Sequence, residues 1–439
     1  MRNLNTFVLG CVALVIPLKA SLAENWPQWR GPNFNGSTSE TGLPDKLDPK
    51  ANLVWKIAMP GFGASTPIIW EDRLFITSVD KQSMKLLAMC LDKKTGKMIW
   101  QREVGEGAAI NARGNNTAAP SPVTDGKTVF FYFASGELAA FDMEGKPLWE
   151  RNLVKEYGPF YIKWIYSSSP LLQFGRLYVQ VIHRDVPPNG PAVRGAPPAE
   201  SYLLAIDPAT GKNIYRHVRA TNAMAESKES YATPVAYEAA GRREIVLIGG
   251  DCITGHDADT GAELWRSGGW NQRKAQNFRV VATPVVLGKN LLICTPNPTG
   301  NIICLNADGS GDITATNRSW EVSDTKSDVP SPLIYEGDLF VLDGDYRKGL
   351  SRMNPADGKV KWFTPIASGA LLRASPMGAD GKVFVMNEEA ETWVLSAADG
   401  KILSNTQLET DGGARGSIIA SQGRLFVRTG STLYCFGEK

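Results

Sequence analysis

Short apolar runs alternate with tight turns along most of the chain, and one pattern recurs. A small residue followed by proline opens an apolar run at Thr66-Pro67, Ser121-Pro122, Ser169-Pro170, Thr233-Pro234, Thr283-Pro284, Ser331-Pro332 and Ser375-Pro376. An eighth copy, Ser417-Ile418, lacks the proline. From Pro67 to Ile418 seven steps cover 351 residues, about 50 per unit, which is a propeller-blade spacing. Within a unit the order is constant. A short strand is followed by a turn such as Glu71-Asp72, Asp125-Gly126 or Glu336-Gly337 and then an apolar strand such as Arg73 to Thr77 or Asp338 to Leu342. A third strand ends in Asp or Asn, a second turn follows, and an aromatic residue closes the unit.

The closing aromatics are Trp100, Trp149, Tyr215, Trp265, Trp320 and Trp362, with a decayed copy from Ser396 to Ser404. Asp or Asn binds backbone amides two residues ahead, and Gly accepts the positive φ of a tight hairpin. Proline is tolerated at the head of the innermost strand because a first strand residue need not donate to the ladder. The eighth unit has only three strands, Ile418–Ala420, Arg424–Val427 and Thr432–Phe436. The segment Asn52 to Lys56, with Trp55, reads like the missing outer strand. The pattern therefore predicts an all-β, eight-bladed propeller of four-stranded antiparallel blades. Pairing the N-terminal strand with the C-terminal blade closes the ring and removes two open edges.

The domain reading is a signal peptide over 1–23, an N-terminal extension over 24–51 and a single propeller over 52–439. Arg2, the apolar run Phe7 to Leu18 and Ser21-Leu22-Ala23 have the order of a cleavable leader ending before Glu24. The run is shorter than the roughly 20 apolar residues a membrane helix needs, and no later segment spans. The expected location is exported, in the periplasm or cell envelope. Val8-Leu9-Gly10-Cys11 looks like a lipoprotein box, but too few apolar residues precede it for a lipid anchor at Cys11. Without the leader, Lys+Arg and Asp+Glu are 45 each, which argues against a general nucleic-acid partner. Cys294 and Cys304 flank a turn and are the candidate disulfide; buried free thiols are the alternative.

On these residues the chain resembles the PQQ-like β-propeller repeat family, through the Asp-x-x-Thr-Gly-Lys-x-x-Trp turn at Asp92 and its relatives at Asp207 and Asp257. Trp26-Pro-Gln-Trp29-Arg-Gly-Pro32, Ser121 to Gly126 and Gly311 to Thr314 resemble the exported propellers of planctomycete-type bacteria. The resemblance implies one of two roles. Quinoprotein alcohol and sugar dehydrogenases hold pyrroloquinoline quinone and calcium in the central channel, several with an adjacent cysteine pair that this chain lacks. BamB is an eight-bladed scaffold of the outer-membrane assembly machinery with no known chemistry.

Other chemistries find little support. The three histidines, His183, His217 and His256, are too dispersed for a zinc site. No Gly-x-Ser-x-Gly elbow is present, and Gly61-Phe-Gly63 lacks the third glycine of a dinucleotide loop. Asn306 to Thr314 has oxygen side chains at alternate positions like a calcium loop, but Asn317 stands where the bidentate Glu belongs; an elongated turn is the simpler reading. By the resemblance, ligands bind at the channel mouth formed by the loops entering the innermost strands. Those loops contribute Asn115, Asn116, Trp164, Tyr166, Glu229, Tyr231, Arg279, Asp328, Arg373 and Arg415. Such a set can grip an anionic or sugar-like ligand, or its charges can simply pair with one another. The proline-rich insertion Arg184 to Ser201 would project from the same face as a lid, a partner arm or a surface insertion. The expectation is a monomeric propeller acting as a binding or scaffold module, with an envelope protein or a small polar ligand as partner and no cofactor. The alternative is a quinone- and calcium-dependent dehydrogenase with Glu229 or Asp328 as its acid.

Overall fold

The computed structural model describes residues 24–107, 116–189, 199–239, 241–296, 300–411 and 413–438. Eight antiparallel sheets form an eight-bladed propeller. Blade 1 runs Ile68–Trp70, Arg73–Asp80, Lys85–Asp92 and Met98–Glu106 from the axis outward. The other innermost strands begin at Val123, Leu171, Val235, Val285, Leu333, Met377 and Ile419. Ring closure is as the pattern predicts. Leu53–Ala58 pairs antiparallel with Thr432–Phe436 as the outer strand of blade 8, with Trp55 opposite Cys435. The core consists of apolar layers between neighbouring blades. Phe75 of blade 1, for example, packs against Trp100 and Phe131.

The closing aromatics lock six of the eight blades to the next. Trp55 Nε1 donates to Lys93 O at 3.0 Å, Trp100 to Met143 O at 3.0 Å, Trp149 to Pro208 O at 2.8 Å, Trp320 to Pro355 O at 3.0 Å and Trp362 to Ala398 O at 3.2 Å. Tyr215 makes the same contact through its hydroxyl, 3.2 Å from Ala258 O. Each acceptor lies in the next blade's Asp/Asn turn, whose glycine packs against the indole: a Cβ on Gly96 would come 2.9 Å from the Trp55 ring. Trp265 is the exception, and its cause is local. The facing turn of blade 5 is the elongated Asn306 to Asn317 segment, so Trp265 Nε1 donates at 2.6 Å to the buried Glu244 of its own blade. That segment is a turn and an edge cover. Gly311–Asp312 pairs in parallel with Trp265 and Arg266, and its side-chain oxygens accept backbone N–H groups of the turn.

The recurring small residue before proline has a role of its own. The Thr66 N–H donates to the Ser121 hydroxyl at 3.0 Å, Ser121 to Ser169 at 2.9 Å, Ser169 to Thr233 at 3.0 Å and Thr233 to Thr283 at 2.9 Å. Thr283 then donates to Ser331 at 2.9 Å, Ser331 to Ser375 at 3.0 Å, and Ser417 back to Thr66 at 2.9 Å. These bonds form a collar around the axis, each satisfying an N–H that has no sheet partner. Ser417-Ile418 lacks the proline and joins the collar through its N–H, which donates to the Thr66 hydroxyl.

Residues 24–51 run across the end of the ring opposite the entering loops. Trp26 exchanges backbone bonds with Ile69, Pro27 O accepts from Thr124 N, Asn35 O from Ile334 N, Thr38 N donates to Gly378 O, and Glu24 O accepts from the Ser421 hydroxyl. These are the far ends of the innermost strands of blades 1, 2, 6, 7 and 8. Arg30, fully buried, donates to Pro376 O at 3.1 Å, Asn35 O at 3.2 Å and Pro332 O at 2.7 Å.

Two further expectations resolve here. Cys294 and Cys304 are buried free thiols. The strand register places Cys294 opposite Ile302 and Cys304 opposite Leu292, so the two are never directly paired. His217 and His256 pack ring to ring at 5.1 Å, and among the described residues no histidine belongs to a group that could hold a metal. His256 is fully buried between Gly261 O and the Thr254 hydroxyl, and burial, reinforced by Arg219, lowers its pKa to about 4. Between the unfolded value near 6.5 and about 4, only the unfolded chain takes up this proton. Stability is therefore complete above pH 6.5 and falls as pH drops toward 4, by about 3 kcal/mol from this residue. Denaturant melts of wild type and His256→Gln at pH 7 and 4.5 should show a shallower pH dependence in the variant; identical slopes would exclude His256 as the source.

Candidate binding site in the channel

The loops entering the innermost strands surround a cavity of about 550 Å³ on the axis. Its wall is the collar: Thr66, Ser121, Ser169, Thr233, Ser331, Ser375 and Ser417 all line it. Trp29, from the N-terminal segment, also lines it. Because that segment crosses the opposite end of the ring, Trp29 forms the floor and the channel becomes a cup. The Arg30 guanidinium lies 5.8 Å from the centre of the Trp29 ring.

Of the residues expected at the mouth, Trp164, Tyr231, Arg279, Arg373 and Arg415 line the cup. Their charges are held by acids. Arg279 Nη2 is 2.8 Å and Arg373 Nη1 3.8 Å from Asp328 Oδ2, Arg373 Nη2 is 3.4 Å from Asp345 Oδ1, and Arg415 Nη2 is 3.4 Å from Glu388 Oε2. Asp328 stands behind the arginines as an anchor and does not line the cup; its Oδ1 is buried and has no hydrogen-bond partner among the described residues. Burial raises the pKa of Asp345, opposed by Arg373.

Glu229 is fully buried behind Tyr231 rather than in the cup. It accepts from the Tyr231 hydroxyl at 2.6 Å, from Lys163 N at 3.2 Å and from Arg184. Burial raises its pKa against those three partners. Trp164 Nε1 donates at 3.0 Å to Glu226, which also meets Lys163 at 2.7 Å. Tyr166 is not a mouth residue: it packs edge-on against Tyr132 at 5.3 Å, and its hydroxyl donates to Gln180 O. Asn116 is buried too, its Oδ1 accepting from Ala118 N at 3.0 Å in a local turn. Asn115 lies outside the described residues, as do residues 190–198 of the insertion after Arg184. The base of that insertion is pinned through Arg184 to Glu229 and through Asp185 to Lys228. Sequence reasoning missed Trp29, Arg30, Asp345 and Glu388. The only signal was the indole-rich opening Trp26 to Pro32.

Fold and channel together define a propeller of the PQQ-like repeat class. The chain belongs to the family described as outer membrane protein assembly factor BamB, whose model matches residues 46–158 and 249–437. It is 25% identical over 297 residues to a polyvinylalcohol dehydrogenase from Sphingopyxis sp. (strain 113P3), an alignment covering 58% of this chain and 41% of that protein. This chain thus spans about two fifths of that curated relative. Among solved structures it superimposes on BamB from Moraxella catarrhalis at TM-score 0.60 and 13% identity, covering 88% of this chain and 99% of that one. A europium-containing methanol dehydrogenase matches at TM-score 0.66 and 13% identity, covering 94% and 98%. A quinohemoprotein alcohol dehydrogenase from Comamonas testosteroni matches at 0.63 and 13%, covering 94% and 81%. These superpositions establish the fold.

The lining meets only part of what the quinone and calcium implied by the resemblance require. Trp29, Trp164 and three guanidinium groups suit a flat, carboxylated ring. A calcium ion needs several oxygen ligands converging on one point. Among the described residues no group of three or more His, Cys, Asp or Glu is placed to hold a metal. The mouth carboxylates are instead committed to arginines.

Proposed function

We propose that the protein is an exported binding propeller of the cell envelope whose channel holds a small polar ligand, leaving the outer surfaces to a protein partner. The observation that supports this most is the cup itself. A wall of hydroxyls, two indoles and three converging guanidinium groups surround about 550 Å³, closed at one end by the chain's own N-terminal segment. Small-molecule sites are concave, largely preformed and set with a few convergent polar groups. Export is proposed from the leader-like residues 1–23, and no helix among the described residues is long and apolar enough to cross a membrane.

A second reading, a quinone-dependent oxidoreductase, is favoured by the likeness to the polyvinylalcohol dehydrogenase. Calorimetric titration of the mature protein with pyrroloquinoline quinone, with and without calcium, separates the two. The binding-propeller reading expects no calcium-dependent saturation. Saturable binding that requires calcium would overturn it in favour of the oxidoreductase.

A further inference from the structure

The collar is broken at one place. Seven of its eight steps are bridged by an amide N–H to a hydroxyl, but Ser375 N makes no such bond to Ser417. Ser375 is buried, and among the described residues its N–H has no acceptor, which is rare for a buried amide. Among the described residues Ser417 is correspondingly the collar hydroxyl that receives no amide. Both residues line the cup. Arg373 and Arg415, each two residues before its collar serine, also line it.

We infer that this gap between blades 7 and 8 is an oxyanion subsite, in which the Ser375 N–H, the Ser417 hydroxyl, Arg373 and Arg415 take a carboxylate, sulfate or phosphate group of the ligand. The inference rests on the channel being a ligand site. The four residues that carry these donors line the same cavity, and guanidinium groups bind oxyanions through paired N–H donors. Burial lowers the pKa of Arg415, Glu388 opposes it, and Arg373 adds a smaller like-charge lowering. A third cation stands close by, since Arg30 donates to the carbonyl of Pro376, the residue after Ser375. Among the described residues no carboxylate pairs with Arg30. Three acids compete for the mouth cations. Asp328 and Asp345 hold Arg373 from behind at 3.8 and 3.4 Å, and Glu388, 3.4 Å from Arg415, lines the cup itself. The ion pairs to Arg373 and Arg415 are longer, at 3.4 to 3.8 Å, than the 2.8 Å pair of Arg279 with Asp328, and a bidentate oxyanion would compete with them.

The test is titration of [15N]serine-labelled mature protein with sulfate, phosphate and acetate, each followed by calorimetry; the ion that binds tells a tetrahedral oxyanion from a carboxylate. The Ser375 amide is expected to shift saturably with at least one of them. Arg373→Gln and Arg415→Gln should each weaken that binding at least tenfold and Glu388→Gln should tighten it severalfold, while Lys127→Gln, an exposed lysine outside the cup, leaves it unchanged. Two results overturn the subsite: a Ser375 amide that stays still with every anion, or binding indifferent to both arginine variants. If Ser121 and Ser169 nevertheless move with glucose, the cup binds a ligand and only the subsite fails. If no lining serine moves with any probe, the cup fails as well.

Discussion

Deleting residues 433–439 should abolish the cooperative folding of the propeller. Thr432–Phe436 is the third strand of blade 8, paired on one side with Arg424–Thr429 and on the other with Leu53–Ala58. Its loss exposes both ladders at once. Leu433, Tyr434, Cys435 and Phe436 are each at most 1% exposed. At about 1.5 to 3 kcal/mol per large buried side chain, losing Leu433, Tyr434 and Phe436 removes roughly 5 to 9 kcal/mol. That is comparable with the whole stability of an ordinary domain. The damage spreads to the seam, because Leu53–Ala58 carries Trp55, whose indole docks on the blade 1 turn at Lys93. Thermal unfolding by circular dichroism and calorimetry is the measurement. A truncated chain melting cooperatively within a few degrees of wild type would show that the ring does not depend on this closure.

The repeat was legible because each blade restates the same local chemistry about every 50 residues. Strand order, the Asp/Asn-Gly turns and the outer aromatics are all short-range, and the missing fourth strand of blade 8 could be matched to Asn52 to Lys56 by type. The site was legible only as a list of loops. Position in an entering loop does not fix where a side chain points, so Trp164, Tyr231 and three arginines reach the cup while Tyr166 and Asn116 turn into the core. The hydroxyl of the Ser/Thr-Pro pair was in plain view, but its function appears only when eight blades stand side by side. Trp29 and Arg30 were beyond reach for a similar reason. The partners of Arg30 at Pro332 and Pro376 lie 302 and 346 residues away, and no local pattern records so distant a contact.

Replacing Arg30 by methionine should both destabilise the protein and unseat the floor of the cup. The guanidinium is wholly buried and satisfies the carbonyls of Asn35, Pro332 and Pro376. The last two are at the heads of the innermost strands of blades 6 and 7. Burial lowers its pKa to about 9, so it remains charged at neutral pH. Its seat is tight: Gly36 has φ +86°, and a Cβ there would fall 2.1 Å from Nη2. Methionine fills part of the volume but leaves those carbonyls without this donor, each at about 1 to 3 kcal/mol. The variant should therefore lose about 3 to 9 kcal/mol in denaturant melts. Its N-terminal segment should also open below the global transition, because Trp29 loses the neighbour that fixes it over the channel. Hydrogen exchange at Trp26, Phe34 and Thr38, whose amides bond within or across this segment, reads the second effect. Faster exchange there with slow exchange kept in Phe426 and Val427 would show a floor coupled to the ring through Arg30. Uniform acceleration would mean a general stability loss, and unchanged exchange with an unchanged melt would show that the segment docks without it.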